Sequence, residues 1–595
     1  MTNRTEGSCP VSRAACLMLA VVFACGLLQL GVRLRDVQVD AAADYSYASI
    51  RQSVRRVQVS GGRGRILDRH GAALAENRLS LSVVCHPVVF QRRTWDETIA
   101  EISRAVSDLA TLMGTPSSVT TRQIGRHVRQ SLALPLTVWR DIGDRELAVF
   151  SEHARDFPGF SVEESEERVY PNKSVAAHVL GYVGHDRART VAGDEKFNFF
   201  FPEMRGRAGL ELYYDGFLCG VPGEKKVLVD ARGFALEEWT VVEPSRGPDL
   251  QLTLDLGIQR EVEKQLSGVR GACAVIDPRT GDVLALASAP GFDPNAFVPS
   301  LSPELYRRHA EDGGKPLLNR ATGGTYAPGS TFKPITALAG LSLGYPADET
   351  YCCDGVFVLG DLHLRCANRW GHGSLDVRHA LMKSCNPFFC NLATEVGTNA
   401  LVQAARSFGL GQRTGLDLGV DEAGIVPDGD WKQRRFGERW YPGDLAQMAI
   451  GQGLLLVTPL QMAVVAGALG TGFCVTPHLK KGIPSERRAL PFAARHLQVV
   501  REGMRMVVAG DGESRGSGWK GGEDVPVAVS GKTGTAEVGR REHRRKNTWF
   551  IAFAPSDAPQ VAVALVVENG VSGGGTAAPR VGAILRRAFA EGGTR

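Results

Sequence analysis

The strongest constraint on the fold is an apolar run close to the amino terminus. Residues Ala14–Val32 carry no charge, and Gln29 is the one strongly polar side chain among these 19 residues. A run of this length and polarity is sufficient to cross a bilayer as a helix. It leads directly into Arg33 and Arg35 without a small-residue cleavage site, which predicts an uncleaved signal anchor over residues 14–34. The bulk of the chain should then lie on one side of a membrane.

The charges around this run predict its orientation. Arg4, Arg13 and the terminal amine outnumber Glu6 on the amino-terminal side, which favours a cytoplasmic tail of residues 1–13. The arginines directly after the run weaken this asymmetry. A second interpretation is a cleaved signal with Cys25 as a lipid acceptor, although the apolar segment before that cysteine would be only about 11 residues long.

Length and charge argue against a single-domain protein and against a nucleic-acid-binding protein. With 595 residues and a mass of 64.0 kDa, the chain is too long for one compact core, so roughly two to four domains are expected. The formal net charge of +5 is small for this size, and acidic and basic residues are mixed along the chain. Because nucleic-acid-binding proteins usually carry a concentrated basic footprint, we expect no DNA or RNA partner.

A break in the pattern near residues 243–248 separates two regions. Proline and glycine interrupt the sequence there, before Leu250–Asp255 resumes as a strand. Residues 271–288 then predict two strands joined by a tight turn, and the chain closes with two more strand-like runs and a helical segment. We therefore predict a mixed α/β domain over 35–248 and an α/β domain over 249–595, the second with an antiparallel sheet flanked by helices.

Ser330 and Lys333 form a candidate catalytic pair. They are three residues apart, so on a helix both side chains project from one face. Pro334 is tolerated mainly in the first turn of a helix, which places Ser330 at a helix N-terminus, where the dipole favours developing negative charge. A serine hydroxyl is a poor nucleophile until a base removes its proton, and a transiently neutral lysine can do so. The pair alone is a weak signal, because four-residue patterns recur by chance.

Two further motifs strengthen this signal. The Ser-Cys-Asn motif Ser384–Asn386 begins 54 residues after Ser330, and the Lys-Thr-Gly-Thr motif Lys532–Thr535 begins 148 residues after Ser384. The order S-x-x-K, S-x-N, K-T-G resembles that of penicillin-binding proteins and serine β-lactamases. The residues before Lys532 are strand-like, and Gly531 and Gly534 leave space for a substrate backbone to add along that edge.

Segments elsewhere resemble the class B penicillin-binding proteins over nearly the whole chain after the anchor. Segments at 63–77, 168–171, 178–184 and 209–215 are similar, in the family's order, to the pedestal domain of that class. Four short segments between 431 and 462 resemble the elongation branch more than the septal one: Trp431-Lys432, Trp440–Asp444, Ile450–Gly453 and Thr458–Met462. The resemblance implies that residues 35–248 are the pedestal and residues 249–595 the transpeptidase domain.

The resemblance also implies a function, that of a peptidoglycan D,D-transpeptidase of cell elongation that needs no cofactor for catalysis. In the family, a serine attacks the penultimate D-Ala carbonyl of a stem peptide, releases the terminal D-Ala and forms an acyl-enzyme, which an amine of another stem resolves. The matching positions imply Ser330 as nucleophile, Lys333 as base and Ser384 as the proton relay. The backbone amides of Ser330 and Thr535 would form the oxyanion hole. The substrate would be bound by Asn386 at its acyl amide, by Lys532, Thr533 and Thr535 at its carboxylate, and by Gly534 as a further substrate-binding position.

The partners implied by the resemblance are D-Ala-D-Ala stem peptides, β-lactam antibiotics, a SEDS-family glycosyltransferase, other proteins of the elongation complex, and the membrane. It places a single-pass protein in the inner membrane with its catalytic domain in the periplasm. A soluble β-lactamase shares the motifs but has no use for an anchor and a pedestal. A β-lactam sensor should carry several membrane-spanning runs or an H-E-x-x-H helix, and this sequence shows neither. A non-catalytic scaffold that activates the glycosyltransferase remains open, since motifs indicate competence and not use.

Four residues could bind a metal. Their spacings are 13, 6 and 13, and thiolates with one imidazole suit tetrahedral, structural zinc; they are Cys353, Cys366, His372 and Cys385. The surrounding segment 368–373 resembles a stretch of elongation-type enzymes, some of which bind a metal there. Because Cys385 lies inside the Ser384–Asn386 motif, a metal could position the second serine. Cys352 could replace Cys353, and disulfides or free buried thiols are the alternatives.

Overall fold

An exposed helix precedes the folded body of the protein. The computed structural model describes residues 13–43, 45, 54–132, 135–185, 198–200, 204–229, 235–298, 301–539 and 545–590. Helix α1 (Arg13–Arg35) continues into a short π-helical segment, Asp36–Asp40, and none of its side chains is buried. The helix is long and apolar enough to cross a membrane once. A long apolar helix with no buried side chain in the described part of the chain is the form expected of a membrane anchor.

The pedestal consists of small sheets and short helices. Its helices are α2 (Trp95–Met113), α3 (Thr121–Ser131), α4 (Asp144–His153), α5 (Ala177–Leu180), α6 (Gly209–Tyr213) and α7 (Asp215–Leu218). Its strands are β1 (Val54–Val59), β2 (Ile66–Leu67), β3 (Ala73–Cys85), β4 (Leu136–Trp139), β5 (Phe160–Val169), β6 (Val183–His185), β7 (Asn198–Phe200), β8 (Met204–Gly206), β9 (Gly223–Val229) and β10 (Ala235–Val242).

Local sequence explains several of these elements. Leu79–Val83 alternates apolar and small polar residues, the period-2 pattern of a strand, and lies inside β3, which pairs with β4 and β5. Helices α2 and α3 each begin with a capping box, in which the threonine before the helix exchanges hydrogen bonds with Glu97 or Gln123. The short strand β11 (Leu250–Gln251) pairs in parallel with β2, so the chain enters the second domain as part of the pedestal sheet.

The carboxy-terminal domain contains the largest core. Its helices are α8 (Leu256–Gln265), α9 (Pro303–Glu311), α10 (Lys333–Ser342), α11 (Val377–Lys383), α12 (Asn386–Val396), α13 (Thr398–Ser407), α14 (Gly429–Phe436), α15 (Pro442–Ala449), α16 (Pro459–Thr471), α17 (Ala494–Ala509) and α18 (Ala578–Ala588). Its strands are β12 (Gly271–Ile276), β13 (Val283–Ala289), β14 (Tyr351–Cys353), β15 (Val356–Leu359), β16 (Leu362–Arg365), β17 (Gly373–Leu375), β18 (Phe473–Val475), β19 (Arg487–Ala489), β20 (Ser530–Val538), β21 (Arg545–Ala554) and β22 (Val561–Glu568).

Five of these strands form the central sheet, in the order β13-β12-β22-β21-β20, with every neighbouring pair antiparallel. Helices α8 and α18 pack on one face, and α10, α12 and α16 contribute to the core on the other. The predicted antiparallel sheet flanked by helices is therefore confirmed. Strand β20 lies at the edge of the sheet, so its outer backbone groups are available to a ligand.

A buried charge cluster organises the pedestal. The Glu211 carboxylate is fully buried and accepts hydrogen bonds from Arg63 Nε at 2.6 Å and from Arg168 Nε at 2.8 Å. Arg63 also reaches Asp215 at 2.8 Å, and the Tyr170 hydroxyl lies 3.2 Å from Glu211. These residues come from the separate segments whose order resembles the family's pedestal. Every charge at the centre of this cluster therefore has an opposite charge within hydrogen-bonding distance.

Candidate active site

Ser330 lies in a tight turn that leads into helix α10. The turn, Gly329–Phe332, is a 3₁₀ helix, and α10 begins at Lys333 with Pro334 in its first turn. In a 3₁₀ helix the side chains of residues i and i+3 lie above one another, so Ser330 and Lys333 share a face. Ser330 is partly exposed, whereas Lys333 is fully buried. This turn therefore presents a reachable hydroxyl above a desolvated amine.

The second motif lies in the two-residue connection between α11 and α12. Ser384 has φ 55° and ψ 42°, a left-handed conformation that is uncommon for a residue with a side chain. The Lys333 Nζ atom donates to the Ser384 carbonyl and to Asn386 Oδ1, both at 2.7 Å, and lies 3.4 Å from Ser384 Oγ. The first and second motifs are thus joined through the buried lysine.

The third motif completes the cluster from strand β20. Lys532 is fully buried, and its Nζ atom donates to Ser384 Oγ at 2.9 Å and to the Thr533 carbonyl at 3.0 Å. The Ser384 hydroxyl therefore lies between the two lysine amines. Three segments separated by 54 and 148 residues meet at one point.

Burial changes the acid–base chemistry of both lysines. Desolvation lowers the pKa of Lys333 to about 8, with the nearby cysteines opposing the shift. Desolvation also lowers the pKa of Lys532 well below its ordinary value, and the charge of Lys333 lowers it further. Within the described part of the chain, neither lysine forms an ion pair with a carboxylate. About a tenth of Lys333 is therefore neutral at pH 7, far more than of an ordinary lysine, and the neutral amine is the form that a general base requires.

Thr535 connects the edge strand to the loops around it. Its hydroxyl accepts a hydrogen bond from the Gly573 amide at 3.2 Å, and its carbonyl lies 3.4 Å from Gln452 Nε2. The backbone of Gly329 approaches so closely that a Cβ added there would lie 2.9 Å from the Thr535 carbonyl oxygen. A side chain at position 329 would therefore displace either the serine turn or the edge strand.

Sequence reasoning missed two residues of this site. Gln452 belongs to a segment singled out for its resemblance, but no role followed from the pattern. Ser517 had no sequence signal, and its hydroxyl contacts Thr533 Oγ1 at 3.1 Å and the Met382 carbonyl at 3.1 Å. Ser517 thus links the edge strand to the helix that precedes Ser384. A lone serine in a loop gives no sign of this contact.

The four predicted metal-binding residues converge beside Ser384. The candidate ligand atoms of Cys353, Cys366, His372 and Cys385 all lie within 4.8 Å of one another. His372 Nδ1 is 3.9 Å from Cys353 Sγ and 3.4 Å from Cys366 Sγ. Ligand bonds of about 2.3 Å to sulfur and 2.0–2.1 Å to nitrogen in a tetrahedron put nitrogen and sulfur about 3.5 Å apart. The geometry and the donor set therefore fit structural zinc.

The thiols of Cys366 and Cys385 interact directly within this cluster. A hydrogen bond from the Cys385 thiol, with the nearby His372, lowers the pKa of the Cys366 thiol, and the same hydrogen bond raises the pKa of Cys385. A thiolate is the form that binds a metal. Cys352 is exposed and lies outside the cluster, so Cys353 is the cysteine in position. None of the cysteines in the described residues forms a disulfide.

Comparisons with known proteins match both domains. The family model for the penicillin-binding protein transpeptidase domain matches residues 271–586, and the model for the penicillin-binding protein dimerisation domain matches residues 58–252. The peptidoglycan D,D-transpeptidase MrdA of Escherichia coli K12 is 32% identical, over 98% of this chain and 94% of that protein.

Solved structures agree with these matches. The penicillin-binding protein PBP2 of Helicobacter pylori, solved in complex with MreC, superposes with a TM-score of 0.78 at 28% identity, covering 91% of this chain and 99% of that one. A chain of a peptidoglycan synthase complex, solved in work on the coordination of polymerization and crosslinking, superposes with a TM-score of 0.72 at 31% identity, covering 97% and 98%.

Proposed function

We propose that Ser330 forms the acyl-enzyme of this chain, which belongs to the elongation-type class B penicillin-binding proteins and is a serine-type peptidoglycan D,D-transpeptidase. The observation that carries the assignment is the position of the Lys333 amine. It is buried, its pKa is lowered to about 8 by desolvation, and it is one 3₁₀ turn from Ser330. The other two motifs surround it.

The hydrogen bonds of Lys333 support its role as base. A neutral amine has two hydrogens and one lone pair. The two acceptors at 2.7 Å, on Ser384 and Asn386, orient both hydrogens and leave the lone pair for the Ser330 proton. In the proposed step, Ser330 Oγ bonds to the penultimate D-Ala carbonyl carbon while its proton passes to Lys333 Nζ. The backbone amides of Ser330 and Thr535 stabilise the resulting oxyanion.

Ser384 would deliver the proton to the leaving group. Its hydroxyl accepts a hydrogen bond from Lys532 at 2.9 Å and lies 3.4 Å from Lys333. As the carbon–nitrogen bond breaks, the proton taken up by Lys333 passes through the Ser384 hydroxyl to the amine of the departing D-Ala. In the second half-reaction, the amine of an acceptor stem attacks the ester and the same groups work in reverse.

The edge strand would bind the donor stem. Its terminal carboxylate would lie against Lys532, Thr533 and Thr535, and the absence of a side chain at Gly534 lets the peptide approach the strand. Asn386 would also contact the acyl amide. The buried, positively charged form of Lys532 is favoured when this carboxylate is present, because an opposite charge offsets its desolvation.

The proposal includes structural zinc bound by Cys353, Cys366, His372 and Cys385. When bound, zinc would supply four fixed ligand bonds and no step of the reaction. Cys385 lies directly between Ser384 and Asn386, so fixing its sulfur would hold both residues in the strained connection between α11 and α12. The support is the convergence of the four ligand atoms within 4.8 Å.

Metal analysis tests this site. We expect about one zinc per chain in the wild type and in the matched variant Cys352→Ser, and a large loss of zinc with a lower melting temperature in His372→Ala. The readout is zinc content by plasma mass spectrometry together with thermal unfolding. A wild-type protein without zinc, or with disulfide-linked peptides from the cluster after digestion under non-reducing conditions, would contradict the assignment.

We also propose a membrane location and a topology for the chain. The apolar helix α1 and the membrane-anchored relatives indicate a single-pass membrane protein. We assign residues 1–13 to a cytoplasmic tail, 14–34 to the anchor, 35–248 to the pedestal and 249–595 to the periplasmic transpeptidase domain. One relative was solved with MreC and another in a peptidoglycan synthase complex, which supports partners in the elongation complex for this chain as well. We propose that a SEDS-family glycosyltransferase is one of these partners.

Acylation by a penicillin tests the central claim. The full-length chain in detergent and its Ser330→Ala variant are incubated with benzylpenicillin, and their intact masses are measured. We expect a stable adduct on the wild type and none on the variant, with both proteins folded by circular dichroism. A folded wild type without an adduct, or an adduct on Ser330→Ala, would remove Ser330 as the nucleophile.

A further inference from the structure

Gln452 joins the serine turn to the edge strand β20. It follows Gly451, whose carbonyl oxygen accepts a hydrogen bond at 2.8 Å from the amide of Gly329, the residue before Ser330. The Gln452 side chain extends to β20, where its Nε2 atom lies 3.4 Å from the carbonyl oxygen of Thr535. A donor peptide has to lie against both of these elements, yet the proposed reaction gives Gln452 no role.

The backbone of Gln452 is held firmly beside the serine turn. Its amide donates to the Gln447 carbonyl at 2.9 Å, and the Gly451 amide donates to the Met448 carbonyl at 2.8 Å. Gly451 has φ 73°, and a Cβ atom there would collide with the carbonyl oxygen of Gly329. The Gln452 side chain, in contrast, is only partly buried. It can therefore rotate aside while its backbone stays in place.

The Thr535 carbonyl that Gln452 reaches faces the open edge of the sheet. Strand β21 occupies one side of β20, whereas the groups beside this oxygen belong to Gly329 and Gln452, which are not part of the sheet. In an antiparallel strand the N–H and C=O groups of one residue point to the same edge. The Thr535 amide therefore faces the open edge as well, and the two groups together can pair with an added strand.

The proposed binding mode needs both of these backbone groups. The carbonyl that Ser330 attacks belongs to the penultimate D-Ala and accepts from the Thr535 amide. With the terminal carboxylate at Lys532 and Thr533, the donor runs antiparallel to β20. In an antiparallel pair, two residues that face each other can exchange both of their N–H···O bonds. The N–H of the same D-Ala should therefore donate to the Thr535 carbonyl, the oxygen that Gln452 contacts.

We propose that Gln452 is a specificity-determining residue whose side chain occupies the Thr535 carbonyl until the backbone N–H of the donor's penultimate D-Ala displaces it. This inference rests on the proposed function, because it takes the register of the donor from it. The 3.4 Å contact is longer than the range of about 2.7–3.2 Å typical of N–H···O hydrogen bonds, so a well-placed donor N–H replaces it readily.

The proposal predicts a difference between two kinds of ligand. A ligand that brings an N–H to the Thr535 carbonyl has to displace Gln452, and the lost contact slows its acylation. A ligand without that N–H leaves the contact intact. If the contact only held the edge strand in place, its loss would affect both kinds of ligand alike.

Gln452→Met is the variant to test, because methionine is similar in length and volume but cannot donate a hydrogen bond. The matched control is Gln130→Met, at an exposed position of α3 in the pedestal. Benzylpenicillin carries an amide N–H on the carbon beside its β-lactam carbonyl, as the penultimate D-Ala does beside the attacked carbonyl. Imipenem carries a hydroxyethyl group at the equivalent carbon and has no N–H there.

Stopped-flow measurements on the full-length chain in detergent give the second-order acylation rate constant for each ligand. We expect Gln452→Met to raise the constant for benzylpenicillin by about threefold, in the lower range of what a neutral hydrogen bond contributes, and to leave that for imipenem unchanged. The control should change neither constant. The ratio of the two constants is independent of the folded fraction, so a loss of stability in the variant does not obscure the result.

The same data separate this inference from the function on which it rests. A ratio of benzylpenicillin to imipenem acylation that is unchanged or lower in Gln452→Met would overturn the role of Gln452. A ratio that rises only because imipenem reacts more slowly would overturn it too. A folded wild type that neither ligand acylates would overturn the proposed function instead.

Discussion

The pedestal and the active site both bury ionisable side chains, but these side chains have charged partners in the pedestal and neutral partners in the active site. In the pedestal, Glu211 is surrounded by Arg63 and Arg168, so each buried charge has an oppositely charged partner. In the active site, Lys333 and Lys532 are fully buried and have hydroxyl, carbonyl and amide partners instead. Charges of the first kind persist, whereas amines of the second kind lose their protons easily.

This difference predicts which property each region loses when a buried charged group is removed. A paired buried ion is strongly destabilising to break, because removing one partner leaves the other desolvated and alone. An unpaired buried lysine is destabilising in its charged form, and the fold relieves that cost by lowering its pKa. The pedestal should therefore respond to charge removal in its stability, and the active site should respond in its rate.

The largest effect is expected for Lys333→Met. This variant keeps the volume of the buried side chain and removes the proposed base, so acylation by benzylpenicillin should fall by about 10³-fold or more. The free energy of unfolding should stay the same or rise, because no charge is left to bury. Stopped-flow acylation and urea unfolding measure the two quantities, with Lys264→Met as a surface control. A variant that is acylated within tenfold of the wild-type rate would contradict the role of Lys333.

The opposite pattern is expected for Glu211→Gln in the pedestal. Loss of this carboxylate leaves Arg63 and Arg168 buried without full compensation, which should lower the free energy of unfolding by about 3–5 kcal/mol. Acylation of the folded fraction should be unchanged, because Glu211 does not touch the active site. An unchanged free energy of unfolding together with a large loss of acylation would contradict the view that Glu211 serves stability and not the reaction.

The pH dependence sharpens the same comparison. Neutral Lys333 is the proposed base, and burial lowers its pKa from the ordinary lysine value to about 8. The acylation rate should therefore rise about tenfold per pH unit below 8 and level off above it. In the pedestal, burial opposes a low pKa for Asp215, but hydrogen bonds from Gly206 and Arg63 still hold that pKa below its usual value. The charge of Asp215 is thus constant from pH 6 to 9. Acylation rates measured across this pH range check the role of Lys333, and an inflection near the ordinary lysine pKa of about 10.5 would contradict its burial.

The smallest effect is expected at the pedestal surface. Arg78 and Asp141 form an ion pair at 2.6 Å, but both side chains are about half exposed. Water screens such a pair, so Arg78→Gln should change the free energy of unfolding by no more than about 1 kcal/mol. Urea unfolding alongside Glu211→Gln gives a direct contrast. A loss as large as that of the buried cluster would show that exposure does not set the strength of these pairs.

Several features were predictable because they depend on local sequence. The start of α10 follows from the positions of Ser330, Lys333 and Pro334, since proline restricts the first turn of a helix. The β12–β13 hairpin follows from two apolar runs around a turn. The order of the three motifs identified the family, and the cysteine and histidine spacing indicated which four residues to examine together.

Other features depended on contacts between distant segments. Nothing near Ser517 in the sequence indicates that it bridges Thr533 and Met382, and no spacing shows that Cys353 rather than Cys352 turns towards Cys385.

The sequence by itself thus determined the fold class and the family and predicted the anchor and the catalytic motifs, because periodicity, turn residues and motif order are properties of short segments. The tertiary structure alone decided the burial of the two lysines and the position of Ser384 between them. These are consequences of packing, and the pKa of a lysine is set by the solvent it loses and the partners it gains when the chain folds.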